Sequence, residues 1–209
     1  MGRVKPVSLI DKVANVKAKH MLYPLLIGER VRLNALNKAD LETITEWYQD
    51  SFFLRLFDAL PAYPKSQSNL AKSFDERLND KDTFLFAIRP VANSDLLGWI
   101  EIDGILWAHG VCWLSIAIGD QENRGQGYGT EALQLALSFV FNELNLYRLQ
   151  LTVFAYNTSA IALYEKLGFT HEGTYRQFLR RDGQRFDMLL YGLLCDEWMS
   201  MQAENQQNS

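Results

Sequence analysis

A chain of 209 residues, 48% hydrophobic and 22% charged, has the size and composition of one globular domain. Its formal net charge of −4 argues against a general phosphate-backbone binder, which carries a clustered positive surface, so no direct nucleic-acid role is expected. No apolar run approaches the roughly 20 residues that span a bilayer, and Cys112 and Cys195 are too far apart for a zinc or CxxC spacing. The expectation is therefore no membrane partner, no metal, and reduced thiols in a cytoplasmic protein.

Residues 1–20 hold five basic side chains against Asp11, a charge of +4, which leaves −8 for the remainder. They lack a continuous apolar stretch and do not read as a secretory signal, so a flexible basic extension or leader is expected there. The acidic body either attracts cationic ligands or simply keeps the protein soluble. The domain itself is expected over 21–200. Residues 27–36 alternate as a strand. Asn37 to Asp40 supply helix-start chemistry, and Leu41, Ile44, Trp47 and Tyr48 repeat at helical spacing. Pro61 and Pro64 mark 51–65 as a loop with a little helix, and 66–78 reads as a second helix. Strands follow at 83–89, 96–103 and 111–118, with short turns that favour an antiparallel meander.

After Gly119 the pattern changes. Residues 120–129 are a polar, glycine-rich turn, and Ala132, Leu133, Ala136, Leu137, Val140, Phe141 and Leu144 then recur at helical spacing. A strand at 148–154, a helix at 157–167 and strands at 170–175 and 187–194 complete the domain, with a turn at Asp182-Gly183. The polar stretch 201–209 reads as a disordered tail. A helix crosses between 111–118 and 148–154, so those two strands should be parallel.

The turn Arg124-Gly125-Gln126-Gly127-Tyr128-Gly129-Thr130 lies between a strand and a helix. Its glycines permit positive φ and close approach of a ligand. Free N–H groups at the helix start, with the helix dipole, make an anion site suited to a pyrophosphate. It is not a Walker A sequence, since no GK[ST] follows, and its GxGxG spacing is not the Rossmann GxGxxG.

Arg124–Gly129 resembles the acyl-CoA motif R/Q-x-x-G-x-G/A of the GNAT superfamily of N-acetyltransferases. A second stretch, Asn157-Thr158-Ser159-Ala160-Ile161-Ala162-Leu163-Tyr164-Glu165-Lys166-Leu167-Gly168-Phe169, resembles that family's N-x-x-A…Y-x-K-x-G-F signature. The likeness runs from about Leu26 to Leu194. Within the superfamily it points to the RimJ/RimL-like branch, on Gly28-Glu29-Arg30-Val31-Arg32-Leu33, Thr130-Glu131-Ala132, Gly168-Phe169 with Glu172-Gly173, and Phe186-Asp187-Met188-Leu189-Leu190-Tyr191.

The resemblance implies an α/β (α+β) fold, a single domain with a mixed, mostly antiparallel twisted sheet of about seven strands and helices on both faces. It implies direct acetyl transfer from acetyl-CoA to a primary amine, without an acyl-enzyme or a metal, by a monomer or homodimer. The branch favours a protein N-terminal α-amine as acceptor. A small amine (polyamine, amino sugar or amino acid) is the alternative, and a CoA-binding module without catalysis is the reading of a different class.

The pantetheine arm is then expected along Ser115–Ile118, using main-chain groups of Ile116, Ala117 and Ile118, whose side chains can at the same time be sheet core. The phosphates belong to Arg124, Gly125, Gln126, Gly127, Tyr128, Gly129 and Thr130. Tyr164 takes the position of the family's acid at the CoA sulfur, although it also shares a packing face with Ala160, Leu163 and Leu167. Asn157 is an N-cap that in the family also contacts CoA, with Ser159 beside it. Lys166 either approaches the phosphates or stands as a solvated charge. For the general base, Glu101 in Trp99-Ile100-Glu101-Ile102-Asp103 is the first candidate, against the reading of an outward-facing strand residue. His109, His171 and Asp120 are further candidates. Trp47, Tyr48, Phe52 and Phe53 either line an acceptor cleft or form core.

Overall fold

The structure, a computed structural model, describes residues 25–207. The extension expected at 1–20 lies outside them. Seven strands form one sheet: β1 Val31–Ala35, β2 Phe84–Pro90, β3 Gly98–Leu106, β4 Val111–Ile118, β5 Arg148–Phe154, β6 Thr170–Arg181 and β7 Gln184–Leu194. Six α-helices accompany it: α1 Asp40–Trp47, α2 Ser51–Phe57, α3 Gln67–Leu78, α4 Tyr128–Ser138, α5 Thr158–Lys166 and α6 Cys195–Gln207.

The sheet order is β1-β2-β3-β4-β5-β7-β6, and every neighbouring pair is antiparallel except β4 and β5. Alternation along the strands divides the apolar side chains between two cores. Leu85, Ala87, Trp99 and Ala117 face α1, α2 and α3, which add Ile44, Trp47, Phe53, Leu70 and Phe74. Ile88, Ile100, Ile102, Leu114, Leu149 and Leu151 face the other way, onto Leu133, Leu137 and Val140 of the α4 segment, Tyr164 of α5 and Trp198 of α6. A buried ion pair ties the first layer to the sheet, with Arg89 Nη2 2.7 Å from both carboxylate oxygens of Asp40.

Two expectations need correction. The tail expected to be disordered is helical to Gln207: Trp198 packs on Phe141 at 5.3 Å between ring centroids, and Met201 lies against the bare Cα of Gly168. The closing strands are also longer than 170–175 and 187–194. They continue to a two-residue turn at Asp182 (φ 47°) and Gly183 (φ 79°), both in the left-handed region that tight hairpins use. The little helix expected within 51–65 is α2, capped by the Asp50 carboxylate accepting from Phe52 N–H.

The feature that positions the site is a break in the sheet. β4 pairs with β3 over its length, but with β5 only through Val111, Cys112 and Trp113. From Leu114 to Ile118 the strand has a neighbour on one side only. A central strand therefore offers an unpaired backbone edge, at the end that leads into the glycine turn.

Candidate active site

Backbone polar groups need partners, and those that the protein leaves unpaired are open to water or to a ligand. In the turn after β4, Arg124 N–H is bonded to Gln121 O at 3.1 Å, and Glu131 N–H to Gly127 O at 3.1 Å. Among the described residues, none of the N–H groups from Gly125 to Thr130 between them donates to a protein acceptor. Gly125 (φ 72°) and Gly127 (φ 88°) hold the left-handed conformations that shape this loop, and Gly127 is the N-cap of α4. An open groove of ≈ 710 Å³ runs beside it, lined by Asp120, Gln121, Glu122, Arg124 and Gln126. A row of free donors ending on a helix N-terminus is a site for anionic oxygens.

The two parts of this row differ in role. The Arg124 side chain does not reach outward: it donates to Ile118 O at 3.1 Å and to Gly119 O, and its guanidinium lies 5.8 Å from the Phe53 ring centroid. It clamps the exit of β4 to the turn. The main-chain amides beyond it are the groups left without a protein acceptor. Ile116 and Ile118 direct side chains to the core of α4, and Ala117 to that of α1–α3, so only their backbone is left for a ligand.

Tyr164 projects from α5 between Phe169 and Tyr191, at 5.7 and 6.4 Å between ring centroids. It is buried, and burial pushes its phenol up to about 12. Its hydroxyl makes no protein hydrogen bond among the described residues. Asn157 caps α5 through Oδ1 to Ala160 N at 3.3 Å, and its Nδ2 donates to Leu56 O at 3.5 Å. The cap therefore holds the residue at the start of α5, and the amide keeps a second N–H beyond these two bonds. Ser159 and Lys166 are exposed on the same helix.

Glu101 is not outward-facing. It is 7% exposed, directed at the α1–α3 layer, where Arg77 of α3 reaches it at 3.3 Å. Burial raises its carboxyl above the usual range, with Arg77 opposing and Asp103 reinforcing the rise. Across the sheet it pairs with Ser115, inside the stretch of β4 that has no β5 partner. Asp103, next on the same face, is likewise raised by burial, and Tyr48 is raised to about 12 by burial, with Arg77, Asp58 and Glu101 acting on it. A buried carboxylate with proton affinity above normal thus stands beside the unpaired stretch of β4.

The other candidates lie elsewhere. His109 is exposed in the turn at the far end of β4, and His171 is exposed on the edge strand β6, bonded to Thr174 at 3.1 Å. Asp120 accepts from Trp47 Nε1 at 2.9 Å, which anchors α1 to the turn. Trp47, Tyr48 and Phe53 are core around Trp99, and Phe52 is exposed. Sequence reasoning missed Arg77 and Asp103. Asp103 shares Glu101's strand parity, a signal that was present; nothing local marks Arg77 as a partner across 24 residues.

Residues 30–170 match the acetyltransferase (GNAT) domain. The chain belongs to the GNAT acetyltransferase family. It is 30% identical over 171 residues to a SPbeta prophage-derived uncharacterized N-acetyltransferase, YokL, of Bacillus subtilis (strain 168), covering 82% of this chain and 93% of that one. It is 29% identical over 143 residues to spermidine N(1)-acetyltransferase of Escherichia coli (strain K12), covering 68% and 74%. The crystal structure of spermidine N-acetyltransferase from Vibrio cholerae in complex with CoA and spermine superposes with a TM-score of 0.74 at 24% identity, over 81% of this chain and 98% of that one, a likeness of fold.

This GNAT protein is accordingly an N-acetyltransferase with acetyl-CoA as donor. The structure suits that donor: free amides meet phosphates, and an open strand edge can take an extended amide-bearing arm. Among the described residues no group of three or more His, Cys, Asp or Glu is placed to hold a metal, and no helix is long and apolar enough to cross a membrane.

Proposed function

We propose that the acceptor is a small aliphatic polyamine. The observation that carries this reading is a cluster of carboxylates beside the open stretch of β4: Glu101 and Asp103 on one face of β3, both with raised proton affinity, and Asp80 acting on Asp103, against the cation Arg77. A carboxylate-rich wall favours a substrate with several positive charges over one whose single amine is followed by neutral peptide. The likeness to a spermidine acetyltransferase at 29% identity supports the same class.

In this reading the backbone of Ile116, Ala117 and Ile118 aligns the pantetheine arm and polarises the thioester carbonyl. The amides of Gly125 to Thr130 hold the phosphates. Glu101 takes the ammonium proton, directly or through one water, so the neutral amine can attack. The new N–C bond forms as the C–S bond breaks. Tyr164 donates its hydroxyl hydrogen to the departing sulfur and regains a proton, through water, from the newly acylated nitrogen, which thereby becomes the neutral amide. A phenol at about 12 is neutral throughout the physiological range and so arrives as a donor, and a dry site raises the sulfur's own basicity toward it.

The test is CoA-thiol release from acetyl-CoA with polyamines, amino sugars, amino acids and peptide N-termini as acceptors. The highest kcat/KM is expected with polyamines. Turnover on peptide α-amines with none on polyamines would overturn the acceptor and restore the N-terminal acceptor that the RimJ/RimL-like resemblance favours. Acetyl-CoA binding without release across the whole panel would favour a binding module.

A further inference from the structure

We propose that Arg30, on the segment entering β1, is a positioning residue for the donor's pyrophosphate, acting through the amide of Gly127. The inference rests on the reading of the glycine turn as the phosphate site.

Arg30 Nη1 donates to Gln126 O at 2.7 Å, 96 residues away in sequence. The peptide bond joining Gln126 to Gly127 is trans, so its C=O and N–H point in opposite directions. With the carbonyl held on the Arg30 side, the Gly127 N–H is turned to the other side, among the unpaired amides of the turn. A glycine at φ 88° has no Cβ to bias its peptide plane, so an external hold on that plane matters more here than at an ordinary residue. The lack of a Cβ also makes the hold possible: one built at Gly127 would lie 3.0 Å from Arg30 Nη1.

Two further contacts dock the same segment on the first turn of α4. The Arg30 guanidinium lies 4.7 Å above the Tyr128 ring centroid, and Arg30 N–H donates to Glu131 Oε1 at 3.0 Å. Gly28 allows this approach, since a Cβ there would lie 2.1 Å from Glu131 Oε1.

Charge points the same way. The groove is lined by Asp120 and Glu122, and Glu131 sits in the first turn of α4. The Arg124 guanidinium is engaged by the carbonyls of Ile118 and Gly119. Arg30 sets a positive charge against this acidic surround, and its Nε and Nη2 have no protein partner among the described residues.

The experiment compares the full-length chain with Arg30→Met and Arg30→Lys on three donors: acetyl-CoA, its 3′-dephospho analogue and S-acetylpantetheine, which carries no pyrophosphate. Arg30→Met is expected to raise KM about 10-fold for both phosphate-bearing donors, the scale of one charge-assisted hydrogen bond, with kcat unchanged. Its kcat/KM on S-acetylpantetheine should equal that of the parent, and Arg30→Lys should recover most of the loss. Equal loss on S-acetylpantetheine would overturn the proposal, because a merely structural role affects every donor. An unchanged KM for acetyl-CoA, or a loss confined to the donor with a 3′-phosphate, would overturn it too. A parent protein that uses S-acetylpantetheine as well as acetyl-CoA would instead overturn the phosphate reading of the turn itself.

Discussion

Replacing Glu101 by Gln separates chemistry from folding with one atom exchanged. If Glu101 is the base, kcat should fall by about 10²–10⁴, the range for removal of a general acid–base group, or about 2.7–5.5 kcal/mol in the barrier. Stability should move the other way. Burial raises the folded-state carboxyl above its ordinary value of 4.5, so the group's contribution is fully present below that value and lost as pH rises through the folded one. At pH 7–8 the charged form is therefore a burden that Gln lacks. The broken pair costs little, because the Arg77 side chain is 35% exposed and stays hydrated. The Gln variant should thus melt at or above the parent temperature at neutral pH, with the difference closing as pH falls toward 4.5. The acid limb of kcat/KM, with an apparent pKa above 4.5 in the parent, should vanish. The assays are thiol release against pH and thermal melting at matched pH. A kcat within threefold of the parent would remove Glu101 from the chemistry, and a kcat loss that tracks a lowered melting temperature would reduce it to a structural residue.

Tyr164→Phe removes one hydroxyl that has no protein partner, so melting should be unchanged while kcat falls about 10- to 100-fold at constant acetyl-CoA affinity; unchanged turnover would discard the acid role. Because the phenol sits at about 12, the alkaline limb below pH 10 should survive that substitution, and its loss would show that Tyr164 titrates far lower than its burial dictates. Gly127→Trp places an L residue at φ 88°, a strain of about 1–2 kcal/mol, and fills the anion path; CoA affinity by calorimetry should fall about 100-fold in a folded protein, and normal affinity would contradict the site. Arg89→Met leaves Asp40 buried without its partner and should lower stability by about 3 kcal/mol in urea unfolding; a loss below 1 kcal/mol would mean that water reaches the pair.

Much of the fold was legible because its signals are local. β4 and β5 match the stretches between turn signals to the residue, and α5 follows from its Asn157 cap and apolar repeat. What was legible only in part were segments whose order comes from distant partners. α2 reads SFFLRLF, too apolar to show a helical face beside two prolines. Its place is set by contacts from elsewhere: the Tyr156 hydroxyl donates to Arg55 O, and Arg181 to Asp58 O at 2.8 Å. The last stretch of β6 is polar and largely exposed, and an irregular register around Gln177 (φ 53°) hides its alternation. α6 ends in a polar sequence held on by Trp198 and Met201, two residues that a composition-based reading of disorder outvotes.

The candidate site divides along the same line, for a physical reason. The donor half is made of backbone: an unpaired strand edge, six free amides and two left-handed glycines. Backbone sites require particular conformations, and conformations need particular residues at short spacing, so they leave a pattern in one stretch of sequence. The acceptor half is made of side chains on separate elements. Glu101 becomes a strong base candidate only once α3 lies over β3 and removes it from water, and Arg77 tempers that effect only from α3. Nothing in a pentapeptide such as WIEID distinguishes a carboxylate that will be buried beside an open strand from one that will face solvent. Even the donor half has one such component. Arg30 reaches the turn from 96 residues away, so its bearing on the phosphates is a property of the folded chain alone.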